Sequence, residues 1–356
     1  MHKRGILIAG MVTFSMILTG CFQGEQSLEE EMDPPQNAKP VDKLDESKND
    51  KKQGEEGKKT ASETVARELY LLDANGMVAS QTLELPTPDS YTVASQVLQY
   101  LVKDGPVSQL LPNGFQAVLP AGTEILGVDL QEDGTIVVDL SKEFANYEAE
   151  DEKKILEAIT YSLTQFENVK SVQLQMQGKA LKEMPVDGTP IGKGYSRANG
   201  INVSDEGVTN LIESQTVTMF YPAEHNENRY YVPVTQYVEQ KEDIDELRAV
   251  VEKLIEGPGL EKNVTQVFDP KTTLTNKPSL KDGILHLEFN DEILMDGKKS
   301  VISDEVMETI VRTMTEINGV DAVQVGVENV EKLVNENGEA YTKPVTKEQF
   351  TPTEKL

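Results

Sequence analysis

Two stretches of the chain carry the same succession of apolar and polar positions. Val97, Leu98, Leu101 and Val102 have the i, i+1, i+4, i+5 spacing of one helical face, and Gly105-Pro106 follows them. Val250, Val251, Leu254 and Ile255 repeat that spacing ahead of Gly257-Pro258. Gly then Pro is a natural helix stop, since Gly accepts a left-handed cap and Pro cannot continue the hydrogen-bond ladder. Downstream, Asp133-Gly134 precedes Ile136, Val138 and Leu140, and Asp282-Gly283 precedes Leu285, Leu287 and Phe289. Alternation of period two after an Asp-Gly turn predicts the second strand of a hairpin.

A second helix follows in each stretch. Its apolar face is Ile155, Leu156, Ile159, Leu163 and Phe166, and 151 residues later come Val306, Met307, Ile310, Met314 and Ile317. Strands with Val172, Leu174 and Met176, and with Val323, Val325 and Val327, come next, then the turns Asp187-Gly188 and Asn337-Gly338. At the start of each stretch, residues 68–72 and 217–221 read as strands, as do 82–85 and 231–234. The offset drifts between 149 and 153 residues, the mark of a duplicated domain with small insertions and far too long a period for a solenoid. Each copy reads strand, strand, helix, hairpin, helix, strand. The expected fold class is α+β, two tandem copies of a small sheet with two helices on one face. Residues 66–195 and 213–346 form the copies, 196–212 a polar, Gly-dotted linker, and 347–356 a tail.

The N-terminal part lacks such periodicity. Lys3 and Arg4 precede an uncharged apolar run over residues 6–18, which reads as an export signal spanning 1–20. The run is shorter than the roughly 20 apolar residues of a membrane-spanning helix. Leu18-Thr19-Gly20-Cys21 resembles the bacterial lipobox, which implies cleavage after Gly20 and diacylglycerol on Cys21. Residues 21–64 read as a disordered acidic tether. Among 25–64 there are twelve acidic and seven basic side chains, and only Leu28, Met32, Val41 and Leu44 are large and apolar. A flexible chain of that length spans roughly 35 Å, enough to hold a folded body off a bilayer.

Composition narrows the function. With 34 basic against 61 acidic residues the net charge is -27, and nucleic acid is excluded as a partner because phosphate-binding surfaces need clustered cations. Cys21 is the only Cys, so no intramolecular disulfide or multi-Cys metal site can form. The three His are scattered, and no phosphate loop, EF-hand or zinc-protease motif occurs. The residues offer no catalytic group, cofactor site or metal site. The least arbitrary acid–base candidates are Asp139 and Glu288, at matching strand positions of the two copies, each flanked by inward-pointing apolar residues and expected to face solvent. A glycosidase needs two carboxylates about 5–9.5 Å apart. His286 is expected to be exposed for the same reason, and His225 to lie in a polar loop.

The lipobox, the acidic tether and the duplicated module together resemble the sporulation and germination lipoproteins with tandem GerMN domains. The most telling stretches are Val118-Leu119-Pro120-Ala121-Gly122-Thr123, Asp133-Gly134-Thr135-Ile136-Val137-Val138-Asp139-Leu140-Ser141 and the two Gly-Pro pairs. The second copy departs from the first, with Phe268-Asp269-Pro270 near the place of Leu119-Pro120. The resemblance implies modules similar to the ring-building motifs of secretion systems. It also implies a lipid-anchored protein in the intermembrane space between mother cell and forespore, held to the lipid bilayer by acylated Cys21. There it would assist assembly of the channel complex, with channel proteins as partners, and would be required for efficient germination. The family's link with cortex breakdown supplies the alternative, a peptidoglycan hydrolase or wall-binding module.

Overall fold

The computed structural model describes residues 64–88, 93–204, 213–240, 245–259, 263–295 and 298–350. The export signal, Cys21 and the tether up to residue 63 lie outside the described residues, as do 205–212 of the linker and 351–356 of the tail.

Each copy opens with a β-hairpin. β1 (Thr64–Leu72) pairs antiparallel with β2 (Val78–Pro86), and β7 (Ser214–His225) with β8 (Asn228–Glu239). The second hairpin turns on Asn226 and Glu227, both at positive φ (48° and 67°), the backbone a two-residue turn with right-handed strand twist requires. The rest of copy 1 runs α1 (Val93–Gln99), β3 (Ile125–Leu130), β4 (Thr135–Leu140), α2 (Glu152–Leu163), β5 (Ser171–Met176) and β6 (Lys179–Ala180). Copy 2 repeats that order with α3 (Glu246–Glu256), β9 (Ser279–Lys281), β10 (Ile284–Phe289), α4 (Asp304–Met314), β11 (Ala322–Val327) and β12 (Val345–Thr346). β3–β4 and β9–β10 are the hairpins read from the Asp-Gly turns. β4 with β5, and β10 with β11, are parallel pairs joined through α2 and α4.

The sheets differ from the expected layout. The opening hairpins leave the remaining strands of their own copies and join each other in one shared sheet, β1-β2-β8-β7. The other strands form two separate sheets, β3-β4-β5-β6 and β12-β11-β10-β9. β2 meets β8 antiparallel, with Ser80 opposite Tyr231. Tyr70 and Phe220 make the same bond to their helices, and their hairpin partners are Ser80 and Pro233, as those of Leu72 and Pro222 are Val78 and Tyr231. An approximate two-fold axis therefore relates the copies and passes between the Ser80–Tyr231 pair and the facing Val78 and Pro233. Periodicity could not show this, because alternation fixes which face a strand buries and not which strand lies beside it.

Helix ends also differ in detail. Gly257 caps α3 at φ 90°, but after α1 the left-handed residue is Asp104 (φ 61°), and Gly105 sits at φ -84°. Gly105 is there for space, since a Cβ would stand 2.8 Å from the Val102 carbonyl oxygen. The core follows the apolar faces read from the sequence: Ile155, Leu156, Ile159 and Leu163 of α2, and Val306, Met307, Ile310 and Met314 of α4, are all buried. α2 packs on β1 and α4 on β7, each tied by a matching bond. Ser162 Oγ accepts from the Tyr70 amide at 2.9 Å, and Thr313 Oγ1 from the Phe220 amide at 3.0 Å.

Candidate interaction surfaces

The join between the copies is built crosswise. Tyr161 on α2 and Arg312 on α4 hold the same helical position, and each reaches a strand of the other copy. Tyr161 shares a hydrogen bond with Thr218 of β7 (3.3 Å), while Arg312 forms an ion pair with Glu68 of β1 (3.3 Å) and another with Glu308 (2.6 Å). Arg312 and Glu68 are almost wholly buried, with side chains 7% and 3% exposed. The Arg312 guanidinium also lies 4.7 Å from the centre of the Tyr231 ring. Next to this pair, Arg197 from the inter-copy segment donates twice to Glu316 at 3.0 Å and sits 4.5 Å over Tyr161. Lys347 completes the Glu316 site at 2.7 Å. Burial pushes the Glu316 carboxyl up, but the Arg197 and Lys347 charges outweigh it and hold it at about 2. Burial raises Glu308, against the opposing pull of Arg312.

Residues 196–204 of the inter-copy segment are part of the fold. The Asn202 amide nitrogen donates to the carbonyls of Val78 and Pro233 (both 2.7 Å), and its side-chain oxygen accepts from the Val78 amide at 3.0 Å. It thereby closes the gap where β2 and β8 splay apart on one side of the axis. Ile201 and Ser204 bond to Thr235, and the Asn202 amide donates to Glu157 of α2 at 3.2 Å.

The two copies finish their second helix differently. In copy 1 the turn at Asp187-Gly188 folds onto the start of α2, where Glu152 is fully buried. Its carboxylate accepts from the amides of Val186, Asp187 and Thr189 at 3.0, 2.7 and 2.8 Å, and from the Tyr147 hydroxyl at 2.8 Å. Burial opposes ionisation, yet these donors lower its carboxyl to about 2. In copy 2 the turn at Asn337-Gly338 docks through Asp304, whose amide donates to exposed Glu336 at 3.0 Å. Phe144 packs edge-on against Tyr147 in copy 1, with ring centres 5.9 Å apart. At the place of Phe144, copy 2 has the smaller Ile293, which lines a cavity of about 1050 Å³ together with Phe268, Pro270, Met295 and Val306. The Phe268-Asp269-Pro270 departure noted in the sequence lines this cavity.

The acid–base candidates do not come together. Asp139, on β4, accepts from the Gly178 amide with both oxygens (2.9 and 3.1 Å) and so holds the β5–β6 turn. Glu288, on β10, accepts from the Asn276 side chain in a different sheet. Both are half-buried loop anchors, more engaged than the solvated charges expected. His286 is exposed, as expected. His225 ends β7 instead of lying in a loop, and its ring packs over Gly114, where a Cβ would come within 2.4 Å. Among the described residues, no group of three His, Cys, Asp or Glu is placed to hold a metal ion. The residues that carry the join (Glu68, Arg197, Arg312, Glu316) escaped the sequence reading. Its faint signal is the Glu308-Arg312-Glu316 series at i, i+4, i+8, which reads equally well as an exposed charged stripe.

Comparison with known proteins gives a consistent result. The family model described as "Germane: Sporulation and spore germination" matches the chain twice, over residues 68–182 and 218–333. The spore germination protein GerM of Bacillus subtilis (strain 168) is 42% identical over 366 aligned residues, covering 98% of each chain. The solved tandem GerMN domains of the sporulation protein GerM from Bacillus subtilis superpose with a TM-score of 0.74 at 45% identity, covering 82% of this chain and 99% of that one. The separately solved first GerMN domain of that protein is 55% identical over 38% of this chain, with a TM-score of 0.36.

Proposed function

The chain belongs to the Germane family of sporulation and spore-germination proteins, and from that premise we propose that it is a membrane-anchored, non-enzymatic assembly factor. In this reading Cys21 carries the lipid, the acidic tether spans the gap from the bilayer, and the two GerMN modules bring together the proteins of the channel between mother cell and forespore. The observation that carries it is the join itself. The module associates with its own kind through a strand edge and a buried crosswise helix contact, the means by which a protein–protein scaffold is built. Two modules on one tether also raise effective concentration at a partner surface. Against the hydrolase alternative, Asp139 and Glu288 stand in different sheets, each spent on its own loop.

The test joins three measurements in sporulating cells. Lipidated protein should co-purify with channel proteins, and deleting residues 213–346 should abolish their localisation. Cys21→Ala should lose fatty-acid label and membrane retention. Undiminished label on Cys21→Ala would remove the anchor from this reading. Muropeptide release by purified protein that disappears in Asp139→Asn with Glu288→Gln would replace assembly with hydrolysis.

A further inference from the structure

In copy 1 the Tyr147 side chain bridges the short helical turn after β4 and the start of α2. Its ring stands edge-on to Phe144 with centres 5.9 Å apart, and its hydroxyl donates to Glu152 at 2.8 Å. Register fixes the counterparts of both partners in copy 2. Leu140 faces Met176 and Phe289 faces Val327 in matching parallel pairs, so Phe144 and Ile293, each four positions further on, correspond. Ser162 and Thr313 accept from the amides of Tyr70 and Phe220, so Glu152 and Ser303, each ten positions earlier, also correspond. Ile293 and Ser303 both line the cavity of about 1050 Å³. Residues 290–303 contain no Phe, Tyr or Trp, so the segment leading to α4 supplies no ring to this space. Ser303 stands at the N-cap of α4, yet its hydroxyl makes no capping bond.

We propose that the copy 2 cavity is a docking site for a tyrosine side chain of a partner protein, carried on a segment with basic flanking residues. The proposal rests on the assembly reading above and names a surface that would serve it. Two observations select the occupant. The first is the filled counterpart: a phenol satisfies an apolar wall and a polar group at the helix start together, as Tyr147 does with Phe144 and Glu152. In copy 2 Ile293 and Phe268 supply the wall, Phe268 being an aromatic partner for the incoming ring, and Ser303 Oγ is the acceptor for its hydroxyl. The second is charge. The rim holds Asp269, Asp291, Glu292 and Glu328 against Lys298 and Lys299, two carboxylates in excess. All four carboxylates are exposed, so a segment crossing the rim meets a field that attracts Lys or Arg and repels Asp or Glu.

The probe is the capped pentapeptide Lys-Ala-Tyr-Ala-Lys, titrated into the full chain and followed by backbone amide shifts. Saturable shifts at Ile293, Ser303 and Asn329 are expected. Binding should be about fivefold weaker for Lys-Ala-Phe-Ala-Lys, which lacks the hydroxyl, and more than about tenfold weaker for Lys-Ala-Ala-Ala-Lys, which lacks the ring. Ser303→Ala should bring the tyrosine peptide down to the level of the phenylalanine peptide and leave the latter unmoved. Asp291 and Glu292 are exposed, so Asp291→Lys with Glu292→Lys should weaken binding about tenfold and leave the melting temperature unchanged. No saturable shift at peptide concentrations on the order of millimolar, or shifts elsewhere, overturns the proposal. Equal binding of the tyrosine and alanine peptides overturns it too, as does a preference for tyrosine over phenylalanine that survives Ser303→Ala. Shifts at the cavity that grow with protein concentration alone would make a second copy the occupant and also overturn it. In cells, the Asp291→Lys, Glu292→Lys protein should lose channel-protein capture that the wild type retains. Equal capture by both sinks the cavity as the docking surface and spares the assembly reading. Capture by neither sinks the assembly reading, while the peptide titration still decides the cavity.

Discussion

The two copies share one backbone plan and solve the same packing problem with different chemistry. At the join, copy 1 offers the neutral Tyr161 to Thr218, while copy 2 offers the charged Arg312 to Glu68. At the start of the second helix, copy 1 buries Glu152 under three backbone amides, while copy 2 holds the equivalent turn through the exposed Asp304–Glu336 contact. After duplication, geometry has been kept and electrostatics has diverged. Where charge is buried, a single change is costly because the partner stays behind, uncompensated. Where it is solvated, water replaces the partner.

The largest contrast lies at the join. Arg312→Ala leaves Glu68 buried without its cation and should cost about 3–5 kcal/mol, whereas Tyr161→Phe removes only long hydrogen bonds and should cost about 1 kcal/mol or less. Replacing the whole cluster, Glu68→Leu and Glu308→Gln with Arg312→Met, should recover most of the loss, since no buried carboxylate is then left without its cation. Denaturant unfolding of the four proteins measures this. Equal losses for Arg312→Ala and Tyr161→Phe would show that Glu68 is not confined in the folded protein. Because the copies share a sheet, all four should unfold in one transition.

Next in size is Glu152→Ala, which orphans three amides and the Tyr147 hydroxyl and should cost about 3 kcal/mol. Acid tests the same idea at Glu316. Its folded carboxyl sits at about 2, below the roughly 4.3 of an unfolded Glu, so its contribution is present at neutral pH and lost as pH falls from about 5 towards 2. The loss amounts to about 3 kcal/mol, and Glu316→Gln should flatten the acid limb of the stability curve. A Glu316→Gln protein with the wild-type slope between those pH values would contradict the buried ion cluster.

How much of this was readable in advance depends on whether the physics is local. The helix faces Ile155–Leu163 and Val306–Met314 and the Asp-Gly hairpins were legible, because burial period and turn chemistry act over a few residues. The shared sheet was not, since Ser80 and Tyr231 are 151 residues apart and neither carries a sign of its neighbour. Nor was the role of Asn202, which reads as a polar loop residue until the two strands it bridges are brought together. Glu152 looked like an ordinary acidic residue in a first helical turn. Only the return of the Asp187-Gly188 turn makes it a buried acceptor.

The smallest effect is expected at Asp304, the residue after Ser303, which stands at the helical place of Glu152. Asp304 also begins its helix, and Asp304→Ala removes a carboxylate from the helix N-terminus together with a long contact to the Glu336 amide at 3.5 Å. The Asp304 amide keeps its bond to Glu336, because that bond uses the backbone. Water reaches this site and replaces the carboxylate at the Glu336 amide and at the Tyr341 hydroxyl, so most of the remaining loss is the interaction with the helix dipole. That is about 0.5–1 kcal/mol, or roughly 2 °C in melting temperature, and it should shrink further in high salt. Glu152→Ala should show a weaker salt dependence, since the Glu152 carboxylate is itself buried and held by short hydrogen bonds. A loss at Asp304 as large and as salt-insensitive as that at Glu152 would mean that the two copies bury this turn alike, and the electrostatic divergence would then be confined to the join.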